Sequence, residues 1–226
     1  MRYLIVASHP DDEVLGAGGL IHKAERDGDK TAALIMNVED TTRYHTNPDM
    51  LVWDLMKSGE VVGTGEMFMN SFQDSEFHRE PHREMVKSIE DAIASFQPDV
   101  LITHSPADIN SDHFWCSQAC QEAARYAQRG RYESNPIKAL YFMEVLSSTD
   151  WASNPSFVQF RPDTFVELKE NDVEAKINAL RCYEEVLRDP PFPRSPENIR
   201  SLACYRGSQS GFRYAEGFQT VWRRGI

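Results

Sequence analysis

The sequence predicts an α/β fold, a mostly parallel sheet with helices on both faces. Two observations carry that prediction. Short strand-like runs alternate with helix-length segments in a βαβαβαβ rhythm over the first 103 residues, and parallel strands need long crossovers and burial on both sides. Polar clusters also follow directly after two of the strand-like runs, where open α/β sheets bind their ligands. Taken in order, Arg2 to Ala7 is a β-branched, apolar run that ends in Ser-His-Pro-Asp-Asp-Glu, so strand one gives way to a loop. From Val14 apolar residues recur at helical spacing as far as the glycine at 28. Thr31 to Val38 predicts a second strand, Pro48 to Val62 a helix, Glu66 to Asn70 a third strand, Glu80 to Phe96 a helix and Asp99 to Thr103 a fourth strand. After His113 a helix is expected to about Gln128, then a strand over Lys138 to Val145. The remainder is less regular: Ser147 to Arg161 is rich in Ser, Asn, Pro and aromatics, Asp172 to Arg188 predicts an amphipathic helix, and Pro190-Pro191-Phe192-Pro193 breaks the chain before a last helix from Pro196.

A chain of 226 residues and 25.9 kDa favours one domain with an ordinary core. Lys plus Arg number 24 against 35 Asp plus Glu, a net charge of −11, and we find no basic patch to override it, which argues against nucleic-acid partners. The longest apolar stretches fall far short of the roughly 18 to 20 residues that span a bilayer, and no secretory signal is visible. The expectation is a cytoplasmic protein with reduced cysteines. Cys116 and Cys120, four apart on one expected helix face, are a weaker metal-ligand pair than the residues below.

The two polar clusters are His9-Pro10-Asp11-Asp12-Glu13 after strand one and His104 to His113 after strand four. Imidazole and carboxylate oxygen suit zinc, and a catalytic zinc keeps three protein ligands and an open position. His9, Asp12 and His113 supply that set, and Asp11 beside the ligand pair is placed to take a proton from an activated water. Read singly, an acidic triplet before a helix is a cap that complements the dipole, and Asp112-His113 a capping acid and a surface histidine. Their joint occurrence at two strand ends favours a site.

Ala7-Ser8-His9-Pro10-Asp11-Asp12-Glu13, followed by Gly16, Gly18 and Gly19, resembles the opening motif of the PIG-L/LmbE-like zinc-dependent N-deacetylases; Asp112-His113 resembles the end of their downstream HxDH motif, and Arg206-Gly207, Gly211 and Tyr214-Ala215-Glu216-Gly217-Phe218 their closing segment. The resemblance covers nearly the whole chain. It implies a Rossmann-like core over about 1–145 with a C-terminal cap and closing segment over 146–226, one Zn2+ per chain on His9, Asp12 and His113, Asp11 as general base, and removal of an N-acetyl group from an amino sugar that is free, nucleotide-linked or glycoside-linked. A homo-oligomer is expected only on general frequency.

This chain departs from the family pattern at two places. Asn110 stands where the family often has the first histidine of HxDH; it can donate to an oxyanion but cannot shuttle a proton, so Asp11 would carry the proton to the leaving amine, and Asp112 would orient Asn110 or His113. The segment after strand two reads Glu39 to His45, with Arg43 the candidate for gripping substrate. In the loop after strand three, Asp74 is expected to hold sugar hydroxyls, and His78 and His45 are alternative acids against a plain surface reading. His104 is expected to play a supporting part, Arg206 and Glu216 to brace the pocket, and Trp151 to contact ligand. A metal-dependent hydratase or hydrolase of a small carboxylated metabolite and a non-catalytic carbohydrate binder are the alternatives; retention of Asp11 speaks against the binder.

Overall fold

A computed structural model describes residues 1–39, 48–129, 137–152, 159–183 and 185–225. Among them, seven strands form one sheet: β1 (Arg2–Ala7), β2 (Lys30–Ile35), β3 (Glu66–Met69), β4 (Val100–His104), β5 (Ala139–Met143), β6 (Thr164–Leu168) and β7 (Tyr214–Arg223), in the order β3-β2-β1-β4-β5-β7-β6. The pairs β3–β2, β2–β1, β1–β4 and β4–β5 are parallel, and β7 runs antiparallel to both β5 and β6. From β1 the chain moves outward to β2 and β3, then returns to the other side of β1 as β4. The carboxyl ends of β1 and β4 therefore flank the crevice where a doubly wound sheet binds ligands.

Among the described residues six helices cover the sheet: α1 (Asp12–Arg26), α2 (Pro48–Val62), α3 (His82–Phe96), α4 (Ser111–Ala127), α5 (Glu170–Leu180) and α6 (Pro196–Ser210). Alternation along β1 decides which face each residue serves. Leu4 and Val6 join the core beneath α3 and α4, whereas Ile5 and Ala7 join the one beneath α1, α2, α5 and α6. None of the described helices is long and apolar enough to cross a membrane.

The α/β class and the parallel half agree with the sequence reading; the C-terminal part differs from it. Two strands form where irregular chain was expected. The β6 segment is a short β-branched run that pairs with β7 at the edge of the sheet, and that pairing places the 214–218 motif inside the sheet, against residues some fifty positions away. The helix expected to reach Arg188 ends at Leu180, and Tyr183 turns inward to be buried against Glu13. Both helices that carry site residues also begin earlier than periodicity suggested, because polar residues form their first turns: α1 starts at Asp12 and α4 at Ser111.

Helix α1 is held close to the sheet. A Cβ on Gly19 would lie 2.5 Å from Leu168 Cδ1 and 3.0 Å from Glu216 Oε1, so glycine lets α1 approach without displacing these side chains. The buried carboxylate of Glu216 on β7 accepts from Gly19 N–H at 2.9 Å, Leu20 N–H at 2.7 Å and Lys176 Nζ at 2.7 Å. Arg206 is paired with Glu144 at 2.9 and 2.5 Å. Glu216 thus ties β7 to α1, the helix that begins with Asp12.

Candidate metal centre

Strand β1 ends at Ala7, and the next backbone N–H, that of Ser8, donates to His104 Nε2 at 2.9 Å, which ties the ends of β1 and β4 together. Asp11 then takes φ 98°, the left-handed region that non-glycine residues rarely adopt. Such a conformation costs of order 1–3 kcal/mol and persists only where the surroundings hold it. Here Asp11 N–H donates to Glu13 Oε2 at 3.0 Å, and Glu13 in turn accepts from the hydroxyl of Tyr183 at 2.9 Å. Burial, with Asp11 beside it, pushes the Glu13 carboxyl up to about 8. The tight turn brings His9 and Asp12 to one side, with His9 Nδ1 3.2 Å from Asp12 Oδ2.

The second half of the site comes from the start of α4. Asn110 is its N-cap, its side-chain oxygen accepting from Asp112 N–H at 2.9 Å. That cap fixes the first turn, so Asp112 and His113 both point inward and are buried. His113 Nε2 lies 3.1 Å from Asp12 Oδ2, and its Nδ1 is 3.1 Å from Asp108 Oδ2. Asp108 is held by the hydroxyls of Thr149, at 2.7 Å, and Ser148. On the other side His9 Nε2 meets Asp74 Oδ1 at 2.9 Å and Asp112 Oδ2 at 3.2 Å. Asp112 also accepts from the backbone N–H of Ser75 at 2.6 Å, which draws the loop after β3 over the site.

The imidazoles and carboxylates of this cluster shift one another. Burial alone would lower His9 and His113, but hydrogen bonds to Asp112, Asp12 and Asp74 push His9 up to about 10, and the carboxylates of Asp12 and Asp108 push His113 up to about 9. Burial raises Asp12 on its own, yet His113 and His9 hold it well below the usual carboxylate range. His104, stacked on His113 with ring centroids 3.8 Å apart, is pushed down to about 3 by burial and by that neighbour.

A divalent cation fits these residues. One donor atom each from His9, Asp12 and His113 lie within 4.8 Å of one another. His113 Nε2 is buried, faces Asp12 Oδ2 at 3.1 Å and makes no well-aligned hydrogen bond among the described residues; a buried nitrogen set against a carboxylate in this way is suited to share a metal with it. Each imidazole also rests its other nitrogen on a carboxylate, Asp108 for His113 and the Asp74–Asp112 pair for His9, the arrangement that orients metal-binding histidines.

Asp11 is buried beside this cluster, 2.9 Å from Arg194 Nη1, and with His9 and Asp12 it lines one side of a pocket of about 220 Å³. Of the other residues singled out, Asp112 meets His9, whereas the sequence suggested Asn110 or His113 as the residue it orients. Asp74 is buried against the same imidazole and so is turned away from open pocket. Trp151 is 63% exposed at the end of a 3-10 turn that begins beside Ser148. His78 is exposed, and Cys116 and Cys120 are buried free thiols. Arg43 and His45 lie outside the described residues. The reading of the chain missed three partners: Asp108, Arg194 and Tyr183. Asp108 had a signal, since it stands in the cluster that ends at His113. Arg194 and Tyr183 had none, being more than 160 residues from the side chains they hold.

Comparison with known proteins gives the chain's relatives. The family model described as PIG-L: GlcNAc-PI de-N-acetylase matches residues 4–124. The chain is 24% identical over 232 residues to the diacetylchitobiose deacetylase of Thermococcus kodakarensis, covering 97% of this chain and 83% of that one. Among solved structures it is similar to the conserved protein TT1542 from Thermus thermophilus, at TM-score 0.79, 22% identity and coverage of 99% and 96%. It is similar as well to GalB, the 4-carboxy-2-hydroxymuconate hydratase from Pseudomonas putida, at TM-score 0.76, 21% identity and coverage of 100% and 98%.

Proposed function

The chain belongs to the PIG-L family, and from that premise we propose that it is a hydrolase removing an N-acetyl or other small N-acyl group from an amino sugar or amino-sugar conjugate. The observation that carries this reading is the convergence of His9, Asp12 and His113 on one point beside the buried carboxylate of Asp11. One zinc ion per chain would be held by those three residues; when bound, it supplies Lewis acidity, drawing a water's pKa towards about 7 and polarising an acyl carbonyl.

The protein's own groups do the rest. Asp11, held in place by Arg194, accepts the proton of the attacking water and returns it to the leaving nitrogen. Asn110 presents its amide nitrogen to the developing oxyanion, since its oxygen is committed to capping α4. Asp108, Asp74 and Asp112 keep the two imidazoles in orientation. Trp151 offers an exposed indole face to the sugar or aglycone, and Arg43 remains the proposed grip on it. The Thermococcus relative's name supports a deacetylated sugar as the product class. The test is acetate and formate release from a panel of N-acylated amino sugars, free, nucleotide-linked and glycoside-linked, by zinc-loaded protein beside Asp11→Asn. Release that collapses in the variant establishes the deacylase and its base.

A second reading, hydration or hydrolysis of a small carboxylated metabolite on the same centre, is favoured by the arginines of the pocket wall and by the likeness to the hydratase. Zinc bound stoichiometrically with no acyl group released from any amide would turn the assignment to that chemistry.

A further inference from the structure

The pocket that opens onto His9, Asp11 and Asp12 has a second wall to which the hydrolytic scheme gives only one task, the pairing of Arg194 with Asp11. It is formed mainly by the segment between α5 and α6, which contributes two arginines, Arg188 and Arg194, to the lining of the cavity. In a chain of net charge −11 the overall field repels anions, so a local pair of cations at the reactive end of the sheet is where an anion would be received.

The two arginines are held differently. The Arg194 side chain is 19% exposed and committed: Nη1 binds Asp11, and Nε binds Ser147 Oγ at 2.9 Å and Leu146 O at 3.3 Å. The Arg188 side chain is 56% exposed, and its guanidinium carbon sits 4.9 Å from the centre of the Phe192 ring. Its polar contacts are Nε to Glu185 O at 3.3 Å and Nη2 to Glu185 Oε2 at 3.5 Å. At that distance the ring is within cation–π range of the guanidinium. The Glu185 carboxylate, half-exposed and at the limit of hydrogen-bond range, adds little, because exposed pairs of this kind contribute between roughly 0 and 1 kcal/mol. Among the described residues Arg188 Nη1 makes no hydrogen bond, and a planar fork with a donor to spare matches a carboxylate or a phosphate.

We propose that Arg188, seated beside Phe192, is a subsite for a negatively charged group, a carboxylate or phosphate, carried by the substrate. This deepens the hydrolase reading and rests on it. Arg188 lines the same pocket of about 220 Å³ as His9, Asp11 and Asp12, so the charged group would sit near the scissile amide, which favours an anionic amino-sugar conjugate over a neutral glycan.

Three N-acetylglucosamine derivatives test this, sharing the acetamide and differing at the anomeric carbon: a methyl glycoside, a carboxymethyl glycoside and a 1-phosphate. Zinc-loaded protein should release acetate from at least one of the charged pair with kcat/KM roughly 10- to 100-fold above the methyl glycoside, through KM, the scale of a charge-assisted hydrogen bond. Arg188→Gln should bring that ratio near one, and Arg188→Lys should leave it between the two. Preference for one charged derivative alone identifies the anion as carboxylate or phosphate. Equal rates on all three, or a preference that survives Arg188→Gln, overturn the subsite. Absence of acetate from all three is instead the failure of the hydrolase reading, and calorimetric binding of the 1-phosphate and the carboxymethyl glycoside then decides the subsite separately. Binding lost in Arg188→Gln supports it, whereas binding that is absent or unaltered overturns it.

Discussion

The N-terminal doubly wound part and the C-terminal part meet at one pocket, yet they contribute different things to it. The first, from β1 through α4, brings the candidate metal ligands from two strand ends that are neighbours in the sheet. The second, after β5, brings a wall of mixed charge, the arginine that holds Asp11, the tyrosine that holds Glu13, and the buried Glu216–Lys176 pair beneath α1. The contrast separates two kinds of constraint. Ligands within one loop need only a tight turn to converge, whereas the supporting partners depend on an antiparallel edge built from distant chain.

That comparison breaks most sharply at the ligands. Removing one donor from the first part by His113→Ala should drop bound zinc to background in a metal assay, and turnover with it. Asp11→Asn should keep stoichiometric zinc while acetate release falls by roughly 10²- to 10⁴-fold, the range for loss of a general base. Hydrolysis left intact by Asp11→Asn would remove Asp11 from the mechanism.

The second part is expected to answer in stability. Glu216→Ala strands the ammonium of Lys176 in a buried site and should lower unfolding free energy in urea by about 3–5 kcal/mol. Replacing both, with Glu216→Leu and Lys176→Met, should recover part of that loss. A cost below about 1 kcal/mol for Glu216→Ala would mean that β7 does not anchor α1.

Asn110 sharpens the contrast, because one residue serves both constraints. Asn110→Ala should slow turnover by roughly 10²-fold or more if its amide faces the oxyanion, and cost about 1 kcal/mol as a lost cap. Asn110→Ser keeps a capping oxygen and discards the amide nitrogen, so it should restore stability and leave the rate low. A rate that recovers with the cap would assign Asn110 to the helix alone.

The smallest effect is expected at Asp172, far from the pocket. Burial would raise its carboxyl, but hydrogen bonds from Arg26, His22 and Lys169 N–H outweigh that and hold it below the usual range. A carboxyl depressed in the folded state contributes stability above its unfolded pKa and loses it as pH falls through the folded value. The stability gap between wild type and Asp172→Asn should therefore be constant at neutral pH and narrow below about pH 4. A gap independent of pH would show that the contacts of Asp172 are indifferent to its charge.

Much of the first part was legible in the chain. Alternation of apolar runs placed β1 to β5 within a few residues, and the His-Pro-Asp-Asp-Glu and Asp-His pairs marked the two strand ends that converge. What reading along the chain misjudged was direction and depth. Asp74 looked like a residue for sugar hydroxyls because loops after strands face ligand, but the hydrogen bonds from Ser75 and Phe77 to Asp112 pull that loop down onto His9. The 214–218 segment, read along the chain only as a closing motif, forms the first half of β7 and pairs with β6.

By itself, then, the sequence determined the layered α/β class, the strand ends that bear chemistry and the donor types gathered there, because periodicity and local turns are short-range properties of the chain. The tertiary structure alone decided that Asp112 serves His9, that Asp108 serves His113, and that Arg194 and Tyr183 reach back to Asp11 and Glu13. Those pairings depend on sheet order and on how two distant segments pack over a strained turn, and nothing local to either segment encodes the other's position.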